Sequence, residues 1–262
     1  MNKYMNTCFV LMAAATFFMV SNAQAGSYLT HGDNVDMKQA FSDVSAKAEQ
    51  GNAKAQFDLG QHYVNGEGVE QNEKLAFKWT EKAANQNLAE AEVELAKYYL
   101  TGTVVDKDIP RGESLLLRAG EQGVIKAHIV LGRLYTRNKE LKNYADASLW
   151  LTKAADLGST EAMDMMALIY LDGRVVEPDN SKAAYWLQRG SDAGDLDATY
   201  NLADFYMQGT GVAKDREEAI RLLKYAAEKG HQLSIDYFVE QAKNNDADAI
   251  AFLTSLPMDA GQ

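Results

Sequence analysis

The chain has 262 residues, with 26 Lys and Arg against 37 Asp and Glu and a formal net charge of −11. A surplus of acid repels phosphate backbones, so nucleic acid is not an expected partner. The single cysteine, Cys8, excludes a disulfide framework.

The first segment reads as a targeting signal. Lys3 supplies a short positive region, Phe9 to Val20 is a run of apolar and small residues, and Ala23-Gln24-Ala25 presents the small side chains that a signal peptidase accepts. Residues 1–25 are therefore expected to be removed after Ala25, placing the protein in the periplasm or beyond it. The apolar run is too short for the roughly 20 residues that cross a bilayer as a helix. No second apolar span follows, so the mature protein is expected to have no stable membrane span. Cleavage also removes Cys8 and Lys3, leaving 25 basic against 37 acidic side chains, a net charge of −12.

Residues 26–36 are polar without apolar periodicity and are expected to be a flexible segment. Residues 37–51 read as a capping helix, because Ala48-Glu49-Gln50-Gly51 resembles Ala227-Glu228-Lys229-Gly230 further on. Five copies of a unit of about 36 residues then follow, at 52–87, 88–123, 124–158, 159–194 and 195–230. A period of that length marks an array whose units bury their apolar faces against one another. A worn sixth copy and tail, 231–262, close the chain, with Phe238 in the leucine slot and a last short helix over Ala247 to Ser255.

Three columns in the first half of each unit lie four residues apart and share one side of a helix. They are Ala55, Ala91, Ala127, Ala162 and Ala198; then Leu59, Leu95, Leu131, Met166 and Leu202; then Tyr63, Tyr99, Tyr135, Tyr170 and Tyr206. Beside the leucine column stand Gly60, Ala96, Gly132, Ala167 and Ala203, small enough for a neighbouring helix to come close. A turn with Gly66, Gly102, Gly173 or Gly209 follows. The second helix carries Ala76, Gly112, Ala147, Ala183 or Ala219, and three residues later Trp79, Leu115, Trp150, Trp186 or Leu222. Each unit ends on Asn87, Gly123, Gly158, Gly194 or Gly230, residue types that tolerate a left-handed cap.

The pattern Ala-x-Ala-x-x-x-Leu-Gly-x-x-Tyr, Gly-x-Gly-Val, Ala-x-x-Trp-x-x-Lys-Ala-Ala, which stands in the first copy as AKAQFDLGQHYVNGEGVEQNEKLAFKWTEKAANQN, resembles the Sel1-like repeat, a relative of the tetratricopeptide repeat. The resemblance covers residues 38–256 with its atypical ends. It implies an all-α fold, a right-handed α/α superhelix (solenoid) of antiparallel helix pairs with a concave surface, and a protein partner in place of fixed chemistry. Some cysteine-rich secreted relatives bind or weakly hydrolyse β-lactams. Their cysteine pairs are absent here, so that activity is not carried over, and a cell-wall or β-lactam-related hydrolase or binder stands only as the alternative expectation.

The residues themselves point away from catalysis. Ser-x-x-Lys, Gly-x-Ser-x-Gly, His-Glu-x-x-His and phosphate-binding glycine loops are missing, and His31, His62, His128 and His231 fall in different units. No catalytic residue, cofactor or metal site is expected. His62 reads as packing, and the pairs Glu92 and Glu94, and Asp195 and Asp197, read as solvated helix edges.

Binding surface is sought where the copies differ. Phe57, Val93, Ile129, Asp164 and Tyr200 form one column, and Gln61, Lys97, Arg133, Leu168 and Asp204 another four residues on, so the two share a helix face. By analogy with tetratricopeptide arrays this is the concave face, and its candidate contacts are Phe57, Gln61, Lys97, Ile129, Arg133, Asp164, Leu168, Tyr200 and Asp204. The third copy departs from the rest. Asn138 replaces the turn glycine, and Tyr135 reaches Ala147 in 12 steps where other copies take 13. Its basic residues Arg133, Arg137, Lys139 and Lys142 offer a contact for an acidic partner.

Overall fold

The computed structural model describes residues 31–138, 141, 143–172 and 178–256, with side chains from Asp36 onward. The targeting segment therefore lies outside the described residues, as do Lys139, Lys142 and Gly173. Among the described residues there are thirteen α-helices and no strands. They are α1 His31–Glu49, α2 Ala53–Asn65, α3 Glu73–Ala84, α4 Ala89–Thr101, α5 Ile109–Glu121, α6 Ile125–Arg137, α7 Tyr144–Asp156, α8 Thr160–Asp172, α9 Asn180–Asp192, α10 Leu196–Gln208, α11 Arg216–Glu228, α12 Gln232–Lys243 and α13 Ala247–Ser255. The fold class is all-α, the α/α solenoid type built from antiparallel helix pairs. Two compact units meet in sequence after Ala91.

Sequence starts these helices at the residue that caps them. Asn52, Asn72, Asp108, Asn143, Asp179, Asp195, Asp215 and Asp246 stand one residue before α2, α3, α5, α7, α9, α10, α11 and α13, and each accepts a backbone N–H from the first turn. An oxygen in that place satisfies a donor that the helix cannot, a contribution of about 1 kcal/mol per cap. The helix α1 begins at His31, so residues 31–36, read from sequence as part of a flexible segment, are helical.

Two backbone bonds close each repeat. The N–H of the second-helix cap returns to the carbonyl of the tyrosine column, Asn72 to Tyr63, Asp108 to Tyr99, Asn143 to Tyr135, Asp179 to Tyr170 and Asp215 to Tyr206, at 2.9–3.0 Å. The third repeat makes this bond at 3.0 Å although its turn is one residue shorter, with Asn138 extended in place of a left-handed glycine. At the far end Leu88, Val124, Ser159, Asp195 and His231 donate back to Ala83, Ala119, Ala154, Gly190 and Ala226, the long bond of a Schellman cap. The residue between cap and bond has positive φ, including Asn87 at 61°.

In the first unit Ala48, Ala55 and Leu59 form a core flanked by Phe41, Val44, Tyr63 and Trp79, with α1 packed on α2 and α2 on α3. In the second unit α6 packs on α7, α8 on α9 and α10 on α11, and each first helix after α5 rests on the second helix before it. The alanine and leucine columns are buried throughout. Gly60 and Gly132 show why the neighbouring column is small. A Cβ on either would come within 2.8 Å of Thr80 or 2.5 Å of Leu151. The tyrosines divide: Tyr99 and Tyr135 are buried, while Tyr63, Tyr170 and Tyr206 are half-buried. Trp150 and Trp186 are buried, and Trp79 is half-buried beneath the Lys82 ammonium, 3.7 Å from its ring centre.

Candidate functional site

The variable columns fall on the first helix of each repeat. In the first unit Phe57 and Gln61 are half-buried on α2, and the Lys54 ammonium lies 5.0 Å from the Phe57 ring. In the second unit Lys97, Ile129, Asp164, Leu168, Tyr200 and Asp204 are half-buried and Arg133 is exposed. Val93 departs from its column. At 1% exposure it belongs to the core and offers nothing to a partner.

Ion pairs join this face from helix to helix. Lys126 of α6 reaches Glu94 of α4 at 2.6 Å, and Lys97 reaches the same carboxylate at 2.9 Å. Burial opposes the ionisation of Glu94, but hydrogen bonds from Lys126 and Lys97 outweigh it and hold the carboxyl below its ordinary value. Burial lowers Lys97 in turn. Arg133 of α6 pairs with Glu161 of α8. Its guanidinium is thus engaged within the chain, so of the basic residues expected to meet an acidic partner in the third repeat Arg133 already has a carboxylate.

Towards the C-terminus the face becomes acidic and aromatic. The Tyr200 ring lies 5.4 Å from that of His231, whose Nε2 is 3.0 Å from Asp197 and whose Nδ1 is 2.8 Å from the Ser234 hydroxyl. Burial, then Asp204 and Asp236, push the Tyr200 phenol up. Beside it a cleft of about 420 Å³ is lined by Thr160, Asp195, Asp197 and His231, among others. Asp164 is half-buried on α8 with its Oδ1 closed to solvent. Burial, then Asp195, Asp197 and Glu161, raise its carboxyl to about 7.

A second column, absent from the sequence reading, lies one residue before the variable one: Gln56, Glu92, His128, Met163 and Thr199, all buried. Gln56 Nε2 donates to the Ala48 carbonyl at 3.1 Å, His128 Nε2 to the Gly120 carbonyl at 2.8 Å, and the Thr199 hydroxyl meets that of Ser191 at 2.9 Å. Each ties a first helix to the last turn of the helix before it. Glu92, expected at a solvated edge, has 0% exposure. Arg118 Nη2 meets its Oε1 at 2.7 Å, and Gln122 donates to Oε2 at 3.2 Å. The correction has a simple cause: Glu92 follows the alanine column directly and turns inward with it. The matched polar residue at Gln86 and Gln122, 36 positions apart, was the available signal, since Gln86 donates to Gln56 at 2.8 Å. Glu94, also read as a solvated edge, is half-buried under its two lysines.

The histidines do not converge on one place. His62 is half-buried with its ring 5.9 Å from Phe41, and His128 lies 5.2 Å from Trp150. Among the described residues no group of three or more His, Cys, Asp or Glu is arranged to hold a metal ion. On the second helices Leu149 and Tyr185 occupy one repeat position and are more than half exposed.

Comparison with known proteins agrees with this architecture. The family model of the Sel1 repeat matches residues 53–88, 89–124, 126–159, 160–195 and 196–231. The chain belongs to the Sel1 repeat family, whose members generally mediate protein–protein interaction and are typically non-enzymatic scaffolds. Among solved structures it is similar to c5321, described as a protective antigen of uropathogenic Escherichia coli strains displaying an SLR fold, with 27% identity and a TM-score of 0.70. That match covers 83% of this chain and 51% of the antigen, so the chain spans about half of that relative's length. A Sel1 repeat protein from Oxalobacter formigenes matches with 29% identity and a TM-score of 0.64, over 79% of this chain and 87% of its own. No curated protein matches the sequence.

Proposed function

We infer that the chain is an exported, non-enzymatic adaptor that binds an envelope or secreted protein through the exposed faces of its first helices. The observation that carries this reading is a contrast between two sets of positions. The alanine and leucine columns keep nearly one residue type from repeat to repeat, whereas Phe57, Gln61, Lys97, Ile129, Arg133, Asp164, Leu168, Tyr200 and Asp204 range over aromatic, amide, basic, aliphatic and acidic side chains. The apolar seam between helices demands uniformity, and a surface that reads one partner demands difference. Export to the periplasm or beyond rests on Lys3, the apolar run and Ala23-Gln24-Ala25. Among the described residues no helix is long and apolar enough to cross a membrane.

Photocrosslinking in living cells from Arg133 or Tyr200, read by mass spectrometry, tests the binding surface. One specific protein is the expected product, and recovery at background from both positions refutes the surface. Sequencing the N-terminus of the cellular protein tests export, with Gly26 expected as the first residue.

A further inference from the structure

The junction between the fourth and fifth repeats holds a buried carboxylate facing its own charge. Asp164 is carried by α8, and its Oδ1 is closed to solvent without a hydrogen-bond partner. A Cβ on Gly190 of α9 would stand 3.9 Å from that oxygen and 2.8 Å from Ala198 Cβ of α10, which sets the carboxyl at the meeting of three helices. The same position is Phe57, Val93, Ile129 or Tyr200 in the other repeats. In the fifth repeat Tyr200 lies against His231, the residue that precedes the next first helix. The corresponding residue for Asp164 is Asp195. An aromatic contact in one junction thus has two carboxylates as its counterpart in the junction before it.

The carboxylates that act on Asp164 come from its own helix and from the start of α10. Glu161 of α8, Asp195 at the cap of α10 and Asp197 of α10 all oppose its ionisation. The neighbouring donors are bound elsewhere: Arg133 of α6 to Glu161, Arg189 of α9 to Asp156 at 3.0 Å, and the His231 ring to Asp197 at 3.0 Å. Asp192 of α9 accepts from Gln188 at 2.8 Å.

We propose that this junction is a pH-responsive seam, loosened when Asp164 is ionised and tightened when Asp164 takes a proton from solvent and can donate it in a hydrogen bond to a neighbouring carboxylate. The sign follows from linkage. With the Asp164 carboxyl raised from 3.8 to about 7, the folded chain holds a proton in that window that the unfolded chain has lost. The penalty is complete above pH 7 and is relieved as the pH falls towards 3.8. The junction therefore strengthens on mild acidification.

Thermal unfolding of the full chain at pH 7.5 and pH 5 tests the seam, with Asp164→Asn and His231→Gln beside the wild type. The wild-type Tm is expected to rise by roughly 2–6 °C on acidification, the scale for one buried proton in a chain of this size. Asp164→Asn should start above the wild type at pH 7.5 and lose most of the rise, whereas His231→Gln should keep it. An unchanged rise in Asp164→Asn overturns the proposal. If that variant does not fold, carbon-13 titration of the Asp164 carboxyl in the wild type decides: a midpoint near 7 supports the seam, and one below about 5 refutes it.

Discussion

Arg118 lies more than half in solvent, yet its Nη2 is 2.7 Å from a Glu92 oxygen that has almost no exposure. A surface arginine thus closes a buried carboxylate. Burial pushes the Glu92 carboxyl up and Arg118 pulls it part of the way back. Arg118→Ala strands that charge and should cost about 1–3 kcal/mol in denaturant unfolding. Glu92→Gln keeps the shape without the charge, and its loss should be under about 1 kcal/mol. Equal losses in the two variants would contradict this account.

Trp150 is buried against His128 on the seam between α6 and α7. Truncation to alanine opens a cavity that neither helix can fill by moving alone. A loss of about 3–5 kcal/mol is expected. A melting curve that matches the wild type would refute the packing.

Two glycines with positive φ separate backbone freedom from close approach. Gly230 has no atom within 4 Å of an added Cβ, so Gly230→Ala should cost only the conformational strain of about 1–2 kcal/mol. Gly211 would place that Cβ 2.1 Å from the Asn180 carbonyl, where the turn of the fifth repeat lies on the start of α9. Gly211→Ala should be worse by roughly 1–3 kcal/mol, the range for overpacking, as read by urea midpoints.

Glu94 supplies a pH and salt dependence of the opposite sense to Asp164. Its folded-state carboxyl sits below 4.5, so its contribution is present above that value and is lost as the pH falls through the depressed one. Glu94→Gln should cost about 0.5–1 kcal/mol at pH 7 and low salt, and less in 1 M salt. A cost that is the same at pH 3 and pH 7 would exclude the ladder as its source.

The array was legible because its signals are local and repeated. Caps at Asn52 or Asp195, the four-residue spacing of Ala, Leu and Tyr, and the left-handed positions at Asn87 and Gly123 act within a single turn of chain. The candidate face was less so. Whether Val93 points at the core or at a partner depends on how closely the neighbouring helix approaches, and the same uncertainty hid Glu92. Periodicity identifies a side of a helix but not the distance to its neighbour. Helix α1 was underestimated because residues 31–36 lack the apolar spacing by which the other helices were recognised.

The buried column of Gln56, Glu92, His128, Met163 and Thr199 assigns an individual key to every module. An amide, a charged group, an imidazole, a thioether and a hydroxyl are not interchangeable in a dry site, so modules sharing one outline cannot be transposed without leaving some donor or acceptor stranded. Evolution by slippage or duplication would meet that barrier at each step. The running order of the units is thereby inscribed in their interiors, independently of anything displayed outside.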